Sequence, residues 1–247
     1  MYLMPLGWQS ERIYQSGDGA MKKEILNGAV IPYDLPVDQL KEMMASSVMK
    51  DFSLACEALS YKNDPEAYRI MKSYVRDQDK YRRLYILKTI FRHREAAELV
   101  DFLEEAIASD DFLFAEHGLT VVSVYRIKVS EQLLIAAVKK HCNELYTAVG
   151  ALKTLEISDG NFEETVRIFN LCSQCAQKEI IGEILCDGYL PSKAKALFDL
   201  FRSDSFAKIR GLALEIGKKY GFDISGFLSD ADGHIRKVAN RLIQHKR

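Results

Sequence analysis

The chain has 247 residues, 48% of them hydrophobic, enough to bury a substantial core as one larger domain or one elongated array. Thirty-four Lys and Arg against 35 Asp and Glu leave a formal charge of −1, so neither a nucleic acid nor an anionic membrane is an expected main partner. No charge-free stretch exceeds ten residues, the start "MYLMPLGWQSERI" lacks a basic-then-apolar leader, and five irregularly spaced cysteines do not suit a disulfide framework. The expected setting is a reducing cytoplasm.

In chain order, residues 1–35 come first, and Pro5, Gly7, Gly17, Gly19, Gly28 and Pro32 interrupt any period there. An irregular N-terminal segment is expected, followed by a helical array over 36–247. "GDGAMKKE" (Gly17 to Glu24) has neither the spacing nor the preceding strand of a phosphate loop. Next, Ala67, Ile70, Met71, Tyr74 and Val75 share a helical stripe, with Asp64 as N-cap and Pro65 at the first helical position. The stretch from Arg76 to Arg94 is strongly basic, but the acids from Glu95 to Asp111 follow at once, so complementary solvated faces are expected in place of a polyanion site.

Ala96, Leu99, Val100, Leu103 and Ile107 form a further stripe, and Leu133, Leu134, Ala137 and Val138 another, opening at Ser130. Asn161 with Glu164 has capping-box spacing. Cys172 and Cys175 make a C-x-x-C without the second pair that a zinc site wants, so helix packing is expected of them. His93, His117 and His141 do not share the period of the array described next, and no metal or cofactor is expected. Altogether thirteen or fourteen helices joined by very short turns are predicted, an all-α fold.

Near the C-terminus, "SDSFAKIRGLALEIG" and "SDADGHIRKVANRLI" repeat one pattern: Asp, then Ile-Arg, then Ala. Asp204 precedes Arg210 by six residues, Asp230 precedes Arg236 by six, and Asp77 precedes Arg83 by six. Weaker copies start at Asp110, Asn143 and Ser173, with a faint one near Ser47, and Glu116, Val149 and Glu179 stand where the arginine would be. A period of about thirty residues marks a stacked array of helical hairpins. Gly150, Gly182 and Gly211 are expected where helices approach closely.

This pattern resembles the HEAT repeat family, in its short, phycobilin-lyase-type variety, over roughly residues 45 to 247. The resemblance implies a right-handed α-solenoid of about six to seven stacked hairpins. It also implies that Asp77, Arg83, Asp204, Arg210, Asp230 and Arg236 form a structural ladder, broken in its middle copies, and that the second helix of each hairpin lines a concave face. By register that face holds Tyr81, Lys88, Arg92, His117, Tyr125, Thr154, Lys208, Glu215 and His234, a mixed polar stripe with aromatics that suits a protein or peptide. With no catalytic constellation in the chain, a non-enzymatic protein- or peptide-binding scaffold is expected. The alternative is a HEAT-like DNA glycosylase, which would want a basic, aromatic-lined groove; the one tryptophan, Trp8, lies outside the array. A chromophore-lyase role rests on fold analogy alone.

Overall fold

The computed structural model describes residues 24–26, 28–188 and 191–244. The expected irregular start therefore lies largely outside the described residues, as do Trp8 and most of "GDGAMKKE". What is described there is a two-residue antiparallel hairpin, β1 (Ile25–Leu26) with β2 (Ala29–Val30), turned at Gly28. Everything after it is helical or connecting chain, so the protein is all-α in class, with thirteen α-helices among the described residues. No helix there is long and apolar enough to cross a membrane.

The chain divides into two compact units, residues 1–106 and 107–247. The first holds α1 (Val37–Ala45), α2 (Met49–Ser60), α3 (Pro65–Lys72) and α4 (Lys80–Thr89), then two tight helical turns, Ile90–Arg92 and Arg94–Leu99. α5 (Val100–Ala108) spans the division. The second unit holds α6 (Phe112–Tyr125), α7 (Glu131–His141), α8 (Tyr146–Ala151), α9 (Phe162–Leu171) and α10 (Cys175–Gly188). It ends with α11 (Ala194–Arg202), α12 (Ala207–Tyr220) and α13 (Gly233–Gln244).

Helices form where the stripes predict them. Asp64 accepts the N–H of Glu66 at 2.8 Å and Pro65 opens α3, as its sequence requires. Ala96, Leu99, Leu103 and Ile107 are all buried, although the first turns of that stripe wind more tightly than an α-helix. In the first unit α2 packs against α1, α3 and α4. In the second, α6, α8, α10, α12 and α13 contact one another in that order, while α7 contacts α8 and α9, α9 contacts α10, and α11 contacts α12. α11 is amphipathic: Ala194, Leu197, Phe198 and Phe201 are its buried i, i+3, i+4, i+7 positions.

Local geometry recurs at the turn before each even-numbered helix and before α13. Three positions ahead of α2, α4, α6, α8, α10, α12 and α13 stand Ser46, Asp77, Ser109, Asn143, Cys172, Asp204 and Asp230. At five of these corners the side-chain oxygen accepts the N–H two residues on: Val48 (3.1 Å), Asp79 (2.7 Å), Asp111 (3.1 Å), Phe206 (2.9 Å) and Asp232 (2.7 Å). Such Asx and ST turns redirect the chain ahead of the helix. Asp77 and Asp230 therefore do not themselves cap the helix: Asp79 and Asp232 do.

The corners also correct the register read from sequence. Three corners fall one residue earlier than expected, at Ser46, Ser109 and Cys172, not at Ser47, Asp110 and Ser173. From these origins, the residues nine, ten, twelve and thirteen further on are buried in α2, α6, α10 and α12 and in α4 with its continuation. In α10 they are Ile181, Gly182, Ile184 and Leu185; in α12, Ala213, Leu214, Ile216 and Gly217. α13 keeps only the ninth, Ala239, buried.

The shifted origin moves Lys178 into the place assigned to Glu179. Lys178 Nζ reaches Asp204 Oδ2 at 2.6 Å, and Arg210 reaches Asp230 with two bonds of 2.7 and 2.8 Å. Both pairs are nearly buried, with side-chain exposures of 13% and 6%, and 13% and 7%. Arg210 also donates to the carbonyls of Asp204 and Ser205, and Arg236 to those of Asp230 and Ala231, the same pattern one corner later. In the first unit Arg82 stands 3.8 Å from Asp77, and Arg83 helps Arg76 hold the Glu105 carboxyl down.

Two glycine expectations hold in detail. A Cβ on Gly150 would stand 2.9 Å from Ser123 Oγ, and one on Gly182 only 2.7 Å from Leu212 Cδ1. Gly211 is different: its nearest neighbour, Ile235 Cδ1, would be at an ordinary 3.8 Å.

Candidate functional site

The second unit has an open cleft of about 470 Å³ at the ends of three helices, α6, α8 and α10. Leu155, Ile157 and Ile184 supply its apolar surface, and Arg126, Lys153, Glu156, Glu183 and Asp187 its charges, the last two from α10. A smaller extension of about 200 Å³, lined by Lys128, Val129, Glu131 and Thr154, shares Leu155 and Glu156 with it.

Each wall has a local cause. α8 tightens through Leu152–Thr154 and then leaves the helix at Leu155, whose backbone is extended. The following turn is held by Asn161, which is almost wholly buried. Its Nδ2 donates to the carbonyl of Glu156 and its Oδ1 accepts the N–H of Ser158, both at 2.9 Å. The expected capping box with Glu164 does not form, because the amide is engaged behind the helix start, and Glu164 instead pairs with Lys139 and Arg167. At the back, a Cβ on Gly188 would lie 2.8 Å from Ile157 Cβ, so the end of α10 seals directly against the loop.

Arg126, at the mouth, ends α6 with φ 53° and ψ 40°. Among the described residues it is the one non-glycine with positive φ. An L-residue bearing a Cβ pays roughly 1–2 kcal/mol for that conformation, which is why glycine usually occupies it.

The cleft opens onto the α10 face that carries Glu179, Glu183 and Asp187, spaced four apart. Lys208 of α12 pairs with Glu179 at 2.8 Å. Cys186 sits among these groups: burial first, then Glu215, Asp187 and Glu183, push its thiol up to about 12.

The nine residues expected on a concave face are therefore divided. Thr154 lines the extension, its Oγ1 donating to the carbonyl of Ala151 at 2.8 Å, and Tyr125 immediately precedes Arg126. Lys208 and Glu215 lie on α12 toward α10. His117 is half-buried on α6, where the corrected origin puts Glu116 in its stead, and His234 is exposed in the first turn of α13. In the first unit Tyr81 is 57% exposed and Lys88 lies over the Tyr85 ring. Arg92 turns inward to Glu57 (2.7 Å), Ser60 (2.6 Å) and the face of Tyr61, so its role there is structural.

The cysteines behave as packing residues. Cys172 is buried against Cys142 of the preceding corner, and burial followed by that neighbour pushes its thiol up to about 12. Among the described residues no group of three or more His, Cys, Asp or Glu could hold a metal ion. Asp230, the first acid of the stretch "SDADG" (Ser229 to Gly233), is engaged by Arg210.

Sequence reasoning did not reach Arg126, Lys153, Glu183, Ile184 or Asp187, and it read Asn161 only as a helix cap. The origin at Cys172 would have placed Glu179 and Glu183 on the stripe; the rest belong to helix ends and a loop. Compared with known proteins, no family model and no curated protein matches this chain.

Proposed function

We propose that the protein is a non-enzymatic scaffold built of HEAT-like hairpins stacked as a right-handed α-solenoid, and that it holds a protein or peptide partner in the cleft at the ends of α6, α8 and α10. The recurring corners and the shared burial offsets support the repeat reading, since hairpins that cover one another's flanks in sequence order need the same residues buried at the same places. The setting consistent with five free cysteines is the cytoplasm.

A single observation carries the binding reading: a cleft lined by apolar side chains and charges of both signs, beside a loop held by the buried Asn161 amide. Its volume falls in the range of ligand pockets, and apolar contact with a few placed polar groups is what peptide recognition uses. The strained Arg126 at the mouth fits a residue retained for contact, not for stability.

The test is selection of random peptides displayed on phage by the immobilised full chain. Enrichment is expected on the wild type and not on Leu155→Arg, whose thermal melt should match the wild type because Leu155 is only half-buried. Equal enrichment on both proteins would remove the cleft as the binding site.

A further inference from the structure

The ladder of corner acids in the second unit has closed rungs at Lys178–Asp204 and Arg210–Asp230, and an open one after them. Arg210 shows the closed form. Its Nη1 donates to the carbonyls of Asp204 and Ser205, both at 2.9 Å, which fixes the plane of the guanidinium. The other edge, Nε and Nη2, then meets Asp230 of the next corner at 2.7 and 2.8 Å. A planar guanidinium grips a carboxylate best in this side-on, two-bond manner. Arg236 repeats the first half of the arrangement: its Nη1 donates to the carbonyls of Asp230 and Ala231 at 2.6 and 2.9 Å. Its Nε–Nη2 edge has no acceptor among the described residues, where no corner follows α13. The Arg236 charge helps hold the Asp230 carboxyl down, but both oxygens of that carboxylate are taken by Arg210.

The surface around this edge is basic. α13 carries His234, Arg236, Lys237 and Arg241, all exposed, and no Asp or Glu. Asp232, just ahead of it, is engaged by the N–H groups of His234 and Ile235. The Ser225–Ser229 turn packed against α13 has no charged residue. Among the described residues neither Lys237 nor Arg241 has an ionic partner. Lys237 and Arg241 stand four apart, as do Arg236 and Asn240, so they form adjacent stripes. Asn240 sets the kind of contact. Ten residues after its corner, α10 has Gly182, against which Leu212 of the next hairpin packs, and α12 has the buried Leu214. α13 has Asn240 there, exposed. Whatever lies on α13 is therefore held by polar bonds and charge, not by a stacked apolar flank.

We infer that the open edge of Arg236 docks an acidic segment of a partner protein, whose Asp or Glu carboxylate takes the place that Asp230 takes on Arg210. Further acids of the segment lie along Lys237 and Arg241. A second copy of this chain is a poor occupant, because α13 laid on α13 would bring like charges together. A nucleic acid matches the charge but not the ladder, in which both closed rungs hold carboxylates. This docking point is separate from the cleft, and neither depends on the other.

The test titrates the full chain into fluorescein-labelled octa-aspartate at moderate salt, read by anisotropy, with a labelled single-stranded octanucleotide in parallel. The wild type is expected to bind octa-aspartate, and Arg236→Gln to bind it roughly tenfold more weakly, the effect of losing a two-bond charge contact. Arg236→Lys keeps the charge and loses the fork, so it should bind nearly as weakly as Arg236→Gln. Lys237→Gln should lose only roughly two- to threefold, as an exposed charge does. Thermal melts check that each variant is folded. Lys237 is exposed and makes no bond in the corner, so its variant reports on the surface even if Arg236→Gln melts early. Octa-aspartate bound by either Arg236 variant as by the wild type would overturn the inference, as would no binding by the wild type. Tighter binding of the octanucleotide would overturn it in favour of phosphate. Sedimentation showing a dimer that Arg236→Gln dissociates would overturn it in favour of a second copy.

Discussion

Two corners of the second unit do the same job with different chemistry. Ahead of α13, Asp230 is gripped by Arg210 from the preceding helix, an ion pair almost out of water. Ahead of α8, Asn143 takes that place on the exposed surface. Its Nδ2 donates to the carbonyl of Leu171 at 3.0 Å, and its Oδ1 accepts from the Ser173 N–H and Oγ at 2.9 and 3.1 Å. Both tie one hairpin to the next. The difference shows that successive corners need a polar latch and not a particular charge, and that the cost of losing it depends on burial.

A large effect is expected where the charge is buried. Arg210→Ala should destabilise the protein by about 2–3 kcal/mol, because Asp230 would keep the Asp232 N–H but lose both bonds to its charge partner, as equilibrium denaturation would measure. The same pair predicts a pH dependence. The Arg210 hydrogen bonds hold the Asp230 carboxyl below its ordinary value. Its stabilisation is thus present above the unfolded-state value of about 3.9 and is lost as pH falls through the lower folded-state value. Asp230→Asn should flatten that acid limb; an unchanged limb would mean the pair contributes nothing.

Comparable in size, Ile209→Ala beside the ladder should cost about 2–4 kcal/mol through a core cavity, since Ile209 is fully buried. A loss below about 1 kcal/mol would contradict a packed interface there. Asn143→Ala should cost much less, about 0.5–1.5 kcal/mol, because water can replace the lost partners. A loss equal to that of Arg210→Ala would erase the distinction between the two corners. Smallest, and opposite in sign, Arg126→Gly should raise stability by about 0.4–1 kcal/mol through relief of the left-handed backbone, offset in part by a looser unfolded chain. It should weaken peptide binding at the same time.

The legible part of the molecule is the part governed by period. Asp64, Pro65 and the stripe after them place α3, and the paired Asp and Arg at 204, 210, 230 and 236 mark the last two corners correctly. At Ser109 the following residues, Asp110 and Asp111, are both plausible caps, and at Cys172 no cap side chain exists at all, so the origin slips by one. On a helix one residue is 100°, enough to exchange Glu116 for His117 and to hide Lys178 behind Glu179. The cleft was illegible for another reason. Leu155, Glu156 and Ile157 obey no period, Arg126 is a helix terminus, and Asn161 has a capping spacing whose amide is spent on the loop behind it. Chain ends and clamps depend on what the next hairpin brings, which no single stripe encodes.

Hydrogen–deuterium exchange of the full chain, with and without a selected peptide, tests the central claim most directly. Slowed exchange is predicted in the Lys153–Ile157 segment and in the last turns of α10, with α13 unchanged. Protection confined to α12 and α13, with Lys153–Ile157 exchanging as before, would contradict the account.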